Sequence, residues 1–438
     1  GHAMIRAIAA AVAFALLPAV PAVAAPPTLP TPKGTYGAKL DAGLLGQHVH
    51  YLSNEGINTT QKFGAIRIWD NGARWDQINT APGVYDWTLL DRVVDNATAV
   101  GAKQIVYVLG GTPQWAAKYP TADFNYYFGP GTASVPNNIE DWKTWVRAVA
   151  QRYKGRITAY QPWNEANLSA MFYAGGGDTA APMADLTQAA KQVLDEVDPA
   201  ATFTTASSTV IQTKNYVKSG WFTRYLKALK ARGVKPDTVS VHLYPWLKQG
   251  PGNGNLKQRE QGLAMAKQVM ANTGFKKYSI WDTEMNYGNM RDTSFNQWPK
   301  KKYSQKQGAA YLAQTYLYSL SNGVSQVYWY GWDDWGLGVW ETSKSGRILQ
   351  PGEAYNTLMQ WLPGAKNGGC TPIGSISTCT IKRGARKQFL VFRATPATET
   401  YTVPSTWKVR QACTVLDSCK PIRNGRVKVG QSPLLLTK

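Results

Sequence analysis

Glutamate is scarce in this chain, nine residues among 438, and two of the nine close short apolar runs. Glu165 ends Gln161-Pro162-Trp163-Asn164-Glu165, and Glu284 ends Trp281-Asp282-Thr283-Glu284. Either glutamate alone reads as a helix cap or a surface turn. Together, at the ends of strands of one sheet, both carboxyls would emerge at the same edge. A protonated carboxyl that gives its proton to a leaving oxygen, beside an ionised one that attacks or directs water, is what glycosidic-bond hydrolysis requires. Arg67 lies within Ala65-Ile66-Arg67-Ile68-Trp69. A buried guanidinium needs an acidic partner, and Glu284 is the expected one, with its pKa lowered by the contact and its charge retained. His242 and Tyr244 end Val241-His242-Leu243-Tyr244, where the tyrosine hydroxyl could orient Glu284. Asn164 is placed to bond a sugar 2-hydroxyl. Trp115, Trp329 and Trp332 offer aromatic faces for the C–H faces of sugar rings, and His50 suits a sugar hydroxyl.

The elements that must hold these residues are legible as an alternation. Strand-like runs fall at 44–49, 65–69, 104–109, 157–163, 201–206, 238–243, 278–282 and 326–330, apolar and rich in Val, Ile and aromatics, as strands buried on both faces are. Helix-like periods lie between them, at 89–100, 139–153, 186–197, 222–232, 256–272 and 305–321. Gly101, Gly233, Gly274 and Gly323 stand where helix ends favour glycine. Eight β-then-α units predict an α/β fold, a (β/α)8 TIM barrel over 43–362, in which polar residues at strand C-terminal ends share one mouth. A doubly wound open sheet lacks its Gly-rich first turn here.

From 363 to 438 short alternating segments separated by Gly, Pro and Asn predict a small all-β, sandwich-like domain. It holds all four cysteines, Cys370, Cys379, Cys413 and Cys419. Of three possible pairings, the local one (370 with 379, 413 with 419) is expected, though sequence does not prove it. Zinc would want a C-x-x-C pair or a nearby histidine, and neither is present.

Gly1-His2-Ala3 before Met4 reads as an expression scar, and Arg6 with the apolar run to Ala25 and Ala22-Val23-Ala24 as a secretory signal. Residues 26–42 form a Pro-rich leader. No other stretch reaches the roughly 20 apolar residues of a membrane span, so a secreted, monomeric protein is expected, extracellular or associated with the cell wall. The net charge is +21, spread without a block of five Lys or Arg. It would attract an anionic or envelope-attached glycan. Nucleic acid is not expected, since no arginine-rich arm or reader module is visible.

The segment 63–91, with Arg67, Trp75, Gly83-Val84-Tyr85-Asp86-Trp87 and Asp91, resembles the start of clan A glycoside hydrolases, family 39 in particular. Asn164-Glu165 is similar to that clan's acid/base motif, Ile280-Trp281-Asp282-Thr283-Glu284 to its nucleophile strand, and His242-x-Tyr244 and Trp329 also match. The resemblance covers about 43–362. It implies a retaining double displacement with Glu284 as nucleophile, Glu165 as acid/base, carboxyl groups about 5–5.5 Å apart and no cofactor. The long segments 112–136, 168–182 and 285–302 suggest an extended polysaccharide groove and endo action. Two rivals are weighed against this. One is a metal-dependent amidohydrolase-type barrel on His48, His50, His242 and Asp333, disfavoured because the fourth and fifth strands offer no Lys or His. The other is a non-catalytic cationic sugar-binding wall protein.

Overall fold

A computed structural model describes residues 37–123, 128–210, 215–247, 250–251, 254–288 and 303–438. The scar, the signal segment, the leader up to residue 36 and most of 285–302 lie outside the described residues.

The parallel strands are β1 Leu45–Gln47, β2 Ala65–Ile68, β3 Gln104–Val108, β4 Ala159–Gln161, β5 in two pieces (Thr202–Phe203 and Ser208–Thr209), β6 Val239–His242, β7 Ile280–Met285 and β8 Val324–Trp329. The ladder runs from the first piece of β5 through β4, β3, β2, β1, β8, β7 and β6 to the second piece of β5. Both ends of the ladder thus belong to one short segment, and Thr204 bridges Thr238 between the pieces. The sheet closes on itself as a TIM barrel. Among the described residues seven long helices follow β2 to β8, one after each strand: α1 Thr88–Ala99, α2 Ile139–Tyr153, α3 Ala180–Val197, α4 Trp221–Ala231, α5 Leu256–Asn272, α6 Gln305–Tyr318 and α7 Gln350–Trp361, with single helical turns at Trp75–Ile78 and Tyr216–Ser219 besides. The eighth expected helix does not form. β1 is followed by the single 3-10 turn His50–Ser53, because Asn54, Gly56 and Asn58 interrupt any apolar period there.

Side chains alternate along a strand, and the barrel interior is built in layers from that rule. Ala65, Val106, Ala159, Trp281 and Tyr328 form an apolar plug. Two residues further along β2, β4 and β7 come Arg67, Gln161 and Thr283, a polar layer, all fully buried. Glu284 requires an exception. Strict alternation would place it with Asp282, whose carboxylate faces outward to Arg259 on α5 at 2.9 Å. Between Asp282 and Met285 the register shifts, so that three steps on β7 match two on β8. This bulge changes the parity of the strand end and lets Glu284 join Thr283 inside the barrel. Gly110, just past β3, serves the neighbouring strand: a Cβ there would lie 2.5 Å from the Trp163 ring, so glycine is what lets the end of β4 settle against β3.

Beyond α7 come β9 Lys366–Ile373, β10 Ile376–Arg383, β11 Arg386–Phe392, β12 Glu399–Thr402, β13 Gln411–Thr414, β14 Cys419–Pro421, β15 Arg426–Val429 and β16 Leu434–Thr437. Six of these form one sheet in the order β9-β10-β11-β16-β13-β14, and β12 with β15 makes a separate ribbon. Ile376, Phe389, Val391 and Leu436 of the sheet pack with Val427 and Val429 of the ribbon, a two-layer β unit. The opposite face of the sheet continues the barrel's core through Cys379, Ile381, Leu390 and Phe392, with Tyr318 of α6 against Phe392 at 5.5 Å. Residues 37–40 join this sheet too: Gly37 N donates to Asn367 O, Leu40 N to Ala365 O. Cys370 is bonded to Cys379 and Cys413 to Cys419, the local pairing. No helix among the described residues is long and apolar enough to cross a membrane.

Arg259 and Asp282 are both wholly buried, and Asp282 also accepts from Leu243 N at 3.2 Å, tying β7 to β6. Burial pushes Asp282 up to about 6 against the pull of Arg259. Arg259→Met should therefore destabilise the fold by about 3–5 kcal/mol at pH 7. The penalty should shrink as the pH falls and the orphaned carboxylate takes a proton, and R259M/D282N should recover most of it. Chemical denaturation of the three proteins at pH 7 and pH 5 checks this.

Candidate active site

The mouth of the barrel gathers residues from β2, β4, β6 and β7 around one guanidinium. Arg67 donates to Gln161 Oε1 at 2.9 Å, to Glu284 Oε2 at 3.3 Å and to Asn164 Oδ1 at 2.7 Å. Tyr244 OH donates to the other Glu284 oxygen at 2.6 Å. Glu284 thus takes a donor on each oxygen, and both favour its ionised form. Glu165 meets His242 Nδ1 at 3.0 Å. One oxygen of Glu165 and one of Glu284 lie within 4.8 Å of each other, and both residues are almost fully buried.

A chain of hydrogen bonds joins the two sides of the site, and its direction follows from its ends. Arg67 can only donate, so Gln161 presents its oxygen to Arg67 and its amide nitrogen to Ser240 Oγ at 2.9 Å and to the Thr205 carbonyl at 3.0 Å. Ser240 Oγ stands 2.6 Å from Thr283 Oγ1, and Thr283 Oγ1 stands 2.9 Å from His242 Nε2. The arrangement that gives every hydroxyl proton an acceptor runs Gln161 to Ser240 to Thr283 to His242. Nε2 then accepts, Nδ1 carries the hydrogen, and Glu165 Oε2 receives it. A proton on the Glu165 carboxyl belongs on Oε1.

Burial sets the charges. It pushes Glu165 up to about 7, opposed by Arg67 and a bond from Asn164, and it pushes His242 down to about 3, so the imidazole is neutral. Glu284 is also raised, by burial first and by the charge of Glu165, with His242, Arg67 and the tyrosine bond opposing. The sequence expectation that Arg67 alone would lower it is corrected here: desolvation of a carboxyl with almost no exposed surface exceeds the pull of one partner. Two carboxyls this close cannot both hold full charge at low cost. With both donors on Glu284, the shared proton resides on Glu165.

Glu165 itself has a left-handed backbone, φ +45°, at the turn that leaves β4. Its N–H donates to Ser207 Oγ at 2.9 Å, and Ala166 N donates to Ser207 O, so β5 fixes the turn. Such a conformation is uncommon in a non-glycine residue and gathers at functional sites.

The other sequence candidates are placed as follows. His50 stands between Asp70 (3.7 Å) and Asp334 (3.4 Å) on the rim and is one-fifth exposed. Trp329 is buried with its ring 5.9 Å from Tyr287, and its indole N–H has no partner among the described residues. Trp332 packs against Phe63 at 5.1 Å and Tyr355 at 5.9 Å, in the apolar layer between strands and helices. It is a core residue because the turn after β8 folds back over β1, where Trp332 N donates to His48 O. Trp115, half-buried after β3, donates to Asn79 O at 2.7 Å. The four cysteines are remote from the mouth, in the β unit. Gln161, Ser207, Ser240 and Thr283 were not singled out from sequence. The usable signal was that polar residues recur on strands expected to be buried on both faces.

Glu165, His242 and Glu284 each offer a ligand atom within the same 4.8 Å, but the set suits a cation poorly. Both oxygens of Glu284 already receive donors, Nδ1 of His242 carries a proton, and a buried guanidinium stands 3.3 Å away. His48 Nε2 faces the Thr283 carbonyl at 2.9 Å, so that nitrogen holds a hydrogen too.

No family model matches the chain. Solved structures do. A family 39 glycoside hydrolase from Bacteroides cellulosilyticus superposes with TM-score 0.63 at 16% identity, over 91% of this chain and 81% of that one. A family 39 enzyme from Xanthomonas axonopodis pv. citri gives 0.60 at 16%, over 95% and 98%. A monomeric β-xylosidase from Caulobacter crescentus gives 0.62 at 14%, over 92% and 97%. At these identities the likeness shows the fold alone: the TIM barrel that these glycoside hydrolases share.

The backbone at residue 165 generates a stability test. Alanine keeps the left-handed penalty and glycine removes it. Glu165→Gly should be more stable than Glu165→Ala by on the order of 1 kcal/mol, read from urea unfolding midpoints.

Proposed function

We propose that this chain is a retaining glycoside hydrolase, with Glu284 as nucleophile and Glu165 as acid/base. The observation that carries the reading is the pair itself: two buried carboxyls with oxygens within 4.8 Å, one holding two charge-assisted donors and the other raised to about 7. That closeness favours direct attack over the wider separation, about 6.5–9.5 Å, that an intervening water needs.

In the first step Glu284 Oε2 or Oε1 attacks the anomeric carbon and Glu165 delivers its proton to the departing glycosidic oxygen. A glycosyl ester forms on Glu284 and the C–O bond to the leaving group breaks. In the second step Glu165, now ionised, takes a proton from water, the water oxygen attacks the anomeric carbon, and Glu284 is released as carboxylate. Arg67 and Tyr244 hold Glu284 in one orientation throughout. Asn164 gives its oxygen to Arg67, so its amide nitrogen, which meets Met171 Sδ at 3.8 Å, is the end that could turn to a sugar hydroxyl. The unpartnered indole N–H of Trp329 is a further donor whose burial is costly until something accepts it.

The substrate class we infer is an extracellular or cell-wall polysaccharide. The two disulfides suit an oxidising compartment, and the loops that leave β3 and β4 at the mouth are long, which fits an extended chain cut internally. The protein is read as acting alone, as a monomer, on such a glycan.

Assays on a panel of aryl glycosides and bacterial and plant polysaccharides test this. Glu284→Gln should abolish turnover. Glu165→Gln should lower kcat by about 10²–10⁴-fold on poor leaving groups, with a smaller loss on activated aryl leaving groups that need no proton. Exhaustive chelation should leave wild-type activity unchanged. Wild-type activity in either Glu variant would sink the mechanism. Since the first step needs Glu165 protonated, kcat/KM should fall as pH rises through about 7. It should also fall at low pH as Glu284 is protonated, at a point above the ordinary carboxylate value. Thr283→Val removes the donor that fixes the His242 tautomer, and the alkaline limb should move while the acid limb stays.

A further inference from the structure

The net charge of +21 is not spread evenly. Residues 363–438 carry thirteen Lys and Arg against Glu399 and Asp417, a net charge of +11 on about a sixth of the chain. Much of this converges on one place. A groove of about 830 Å³ on the appended β unit is lined by Lys382, Arg386, Lys387, Lys408 and Lys438, together with Trp407 and Phe389.

The strand register makes the arrangement specific. Lys366 of β9 stands directly opposite Lys382 of β10, and Lys382 directly opposite Lys387 of β11. Phe389 of β11, two residues after Lys387, pairs with Leu436 of β16, two residues before Lys438. Directly opposed residues on antiparallel strands project from the same face. Three exposed lysines therefore stand in a row across β9, β10 and β11, on strands about 4.8 Å apart, and Lys438, one residue past β16, lines the same groove. Like charges directly opposed destabilise a sheet. Neither acidic side chain of this region is placed to relieve them: Glu399 pairs with Arg393 at 3.6 Å, and Asp417 lies in the β13–β14 turn. A second groove continues the basic strip through Lys382 to Lys39 and Lys366. The row lies on the outer face of the sheet, the face of Ile376 and Phe389, away from the barrel. At its side Trp407 stacks flat on Phe389, centroids 4.0 Å apart and planes 4° apart, so the indole is held rigidly at the groove wall.

We propose that this groove is a docking site for an anionic polysaccharide, a chain bearing carboxylates such as a polyuronate, separate from the barrel mouth. The spacing of the strands that carry the lysines is close to the advance of one sugar ring along a chain, so successive acidic sugars can each meet a lysine. Trp407 supplies an apolar face for a ring's C–H groups. Lysines dominate the row, which suits single carboxylates met as point charges rather than the forked grip of arginine on phosphate. The site stands whether or not the barrel hydrolyses glycans.

The test measures binding of the full chain to polygalacturonate and alginate, with dextran as neutral control and a single-stranded DNA of equal charge as competitor, at about 0.15 M salt. Wild type should bind the polyuronates and not dextran, and binding should weaken as salt rises. K382Q/R386Q/K387Q/K438Q should lose at least about tenfold in affinity with a flatter salt dependence, while turnover of a short neutral aryl glycoside stays at the wild-type level. Should that variant unfold, Lys382→Gln and Lys387→Gln singly should each weaken binding. Failure of wild type to bind either polyuronate overturns the proposal. So does unchanged affinity in folded variants, and so does tighter binding of the DNA, which would make the groove a nucleic-acid surface. Loss of glycosidase activity from the panel with polyuronate binding intact would remove the hydrolase reading and leave this one standing.

Discussion

Arg67 has no exposed surface, donates on every side and accepts nothing, and the site takes its order from that constraint. One guanidinium fixes which end of Gln161 and of Asn164 faces it and holds one oxygen of Glu284. Through Gln161, Ser240 and Thr283 it decides which nitrogen of His242 carries hydrogen. Two carboxyls of the same type, a few ångströms apart, come to have different chemistry because one is reached by donors directly and the other through a neutral ring. Burial raises both, and the donors decide where the remaining charge resides. The cation that makes the pair affordable to bury is thus the group that makes it asymmetric.

The scaffold delivers this through two departures from regularity. The bulge near the end of β7 turns Glu284 inward while leaving Asp282 outward on Arg259, so adjacent acids on one strand serve separate purposes. The left-handed turn at residue 165 swings the other carboxyl over the mouth, with β5 holding it through Ser207. Both lie at strand C-terminal ends, where a closed barrel has finished pairing and the chain is free to deviate.

Much of this architecture was legible in sequence. Continuous apolar runs separated by periodic helices marked strands buried on both faces, and the scarcity of glutamate drew attention to the two that end such runs. The pairing of Arg67 with Glu284 followed from the rule that buried charge needs a partner, and that of Tyr244 from its place at the end of a neighbouring strand. Other features were hidden for identifiable reasons. Alternation alone places Glu284 on the wrong face, since nothing in Asp282-Thr283-Glu284 announces an extra residue in register. Gln161, Ser240 and Thr283 are unremarkable singly and acquire meaning when three strands set them side by side. Trp332 was expected to offer its face to a sugar beside Trp329, but its ring packs on Phe63 and Tyr355. The missing first helix and the raised pKa of Glu284 show local composition and desolvation outweighing a pattern and a single contact.

The claim on which the account turns is that Glu284 attacks carbon directly. Proton NMR of the first sugar product released from whichever glycoside of the panel is cleaved reports it, read before mutarotation. The account predicts a product with the anomeric configuration of the substrate. A product of opposite configuration would mean that water, and not Glu284, reaches the anomeric centre, and would contradict it.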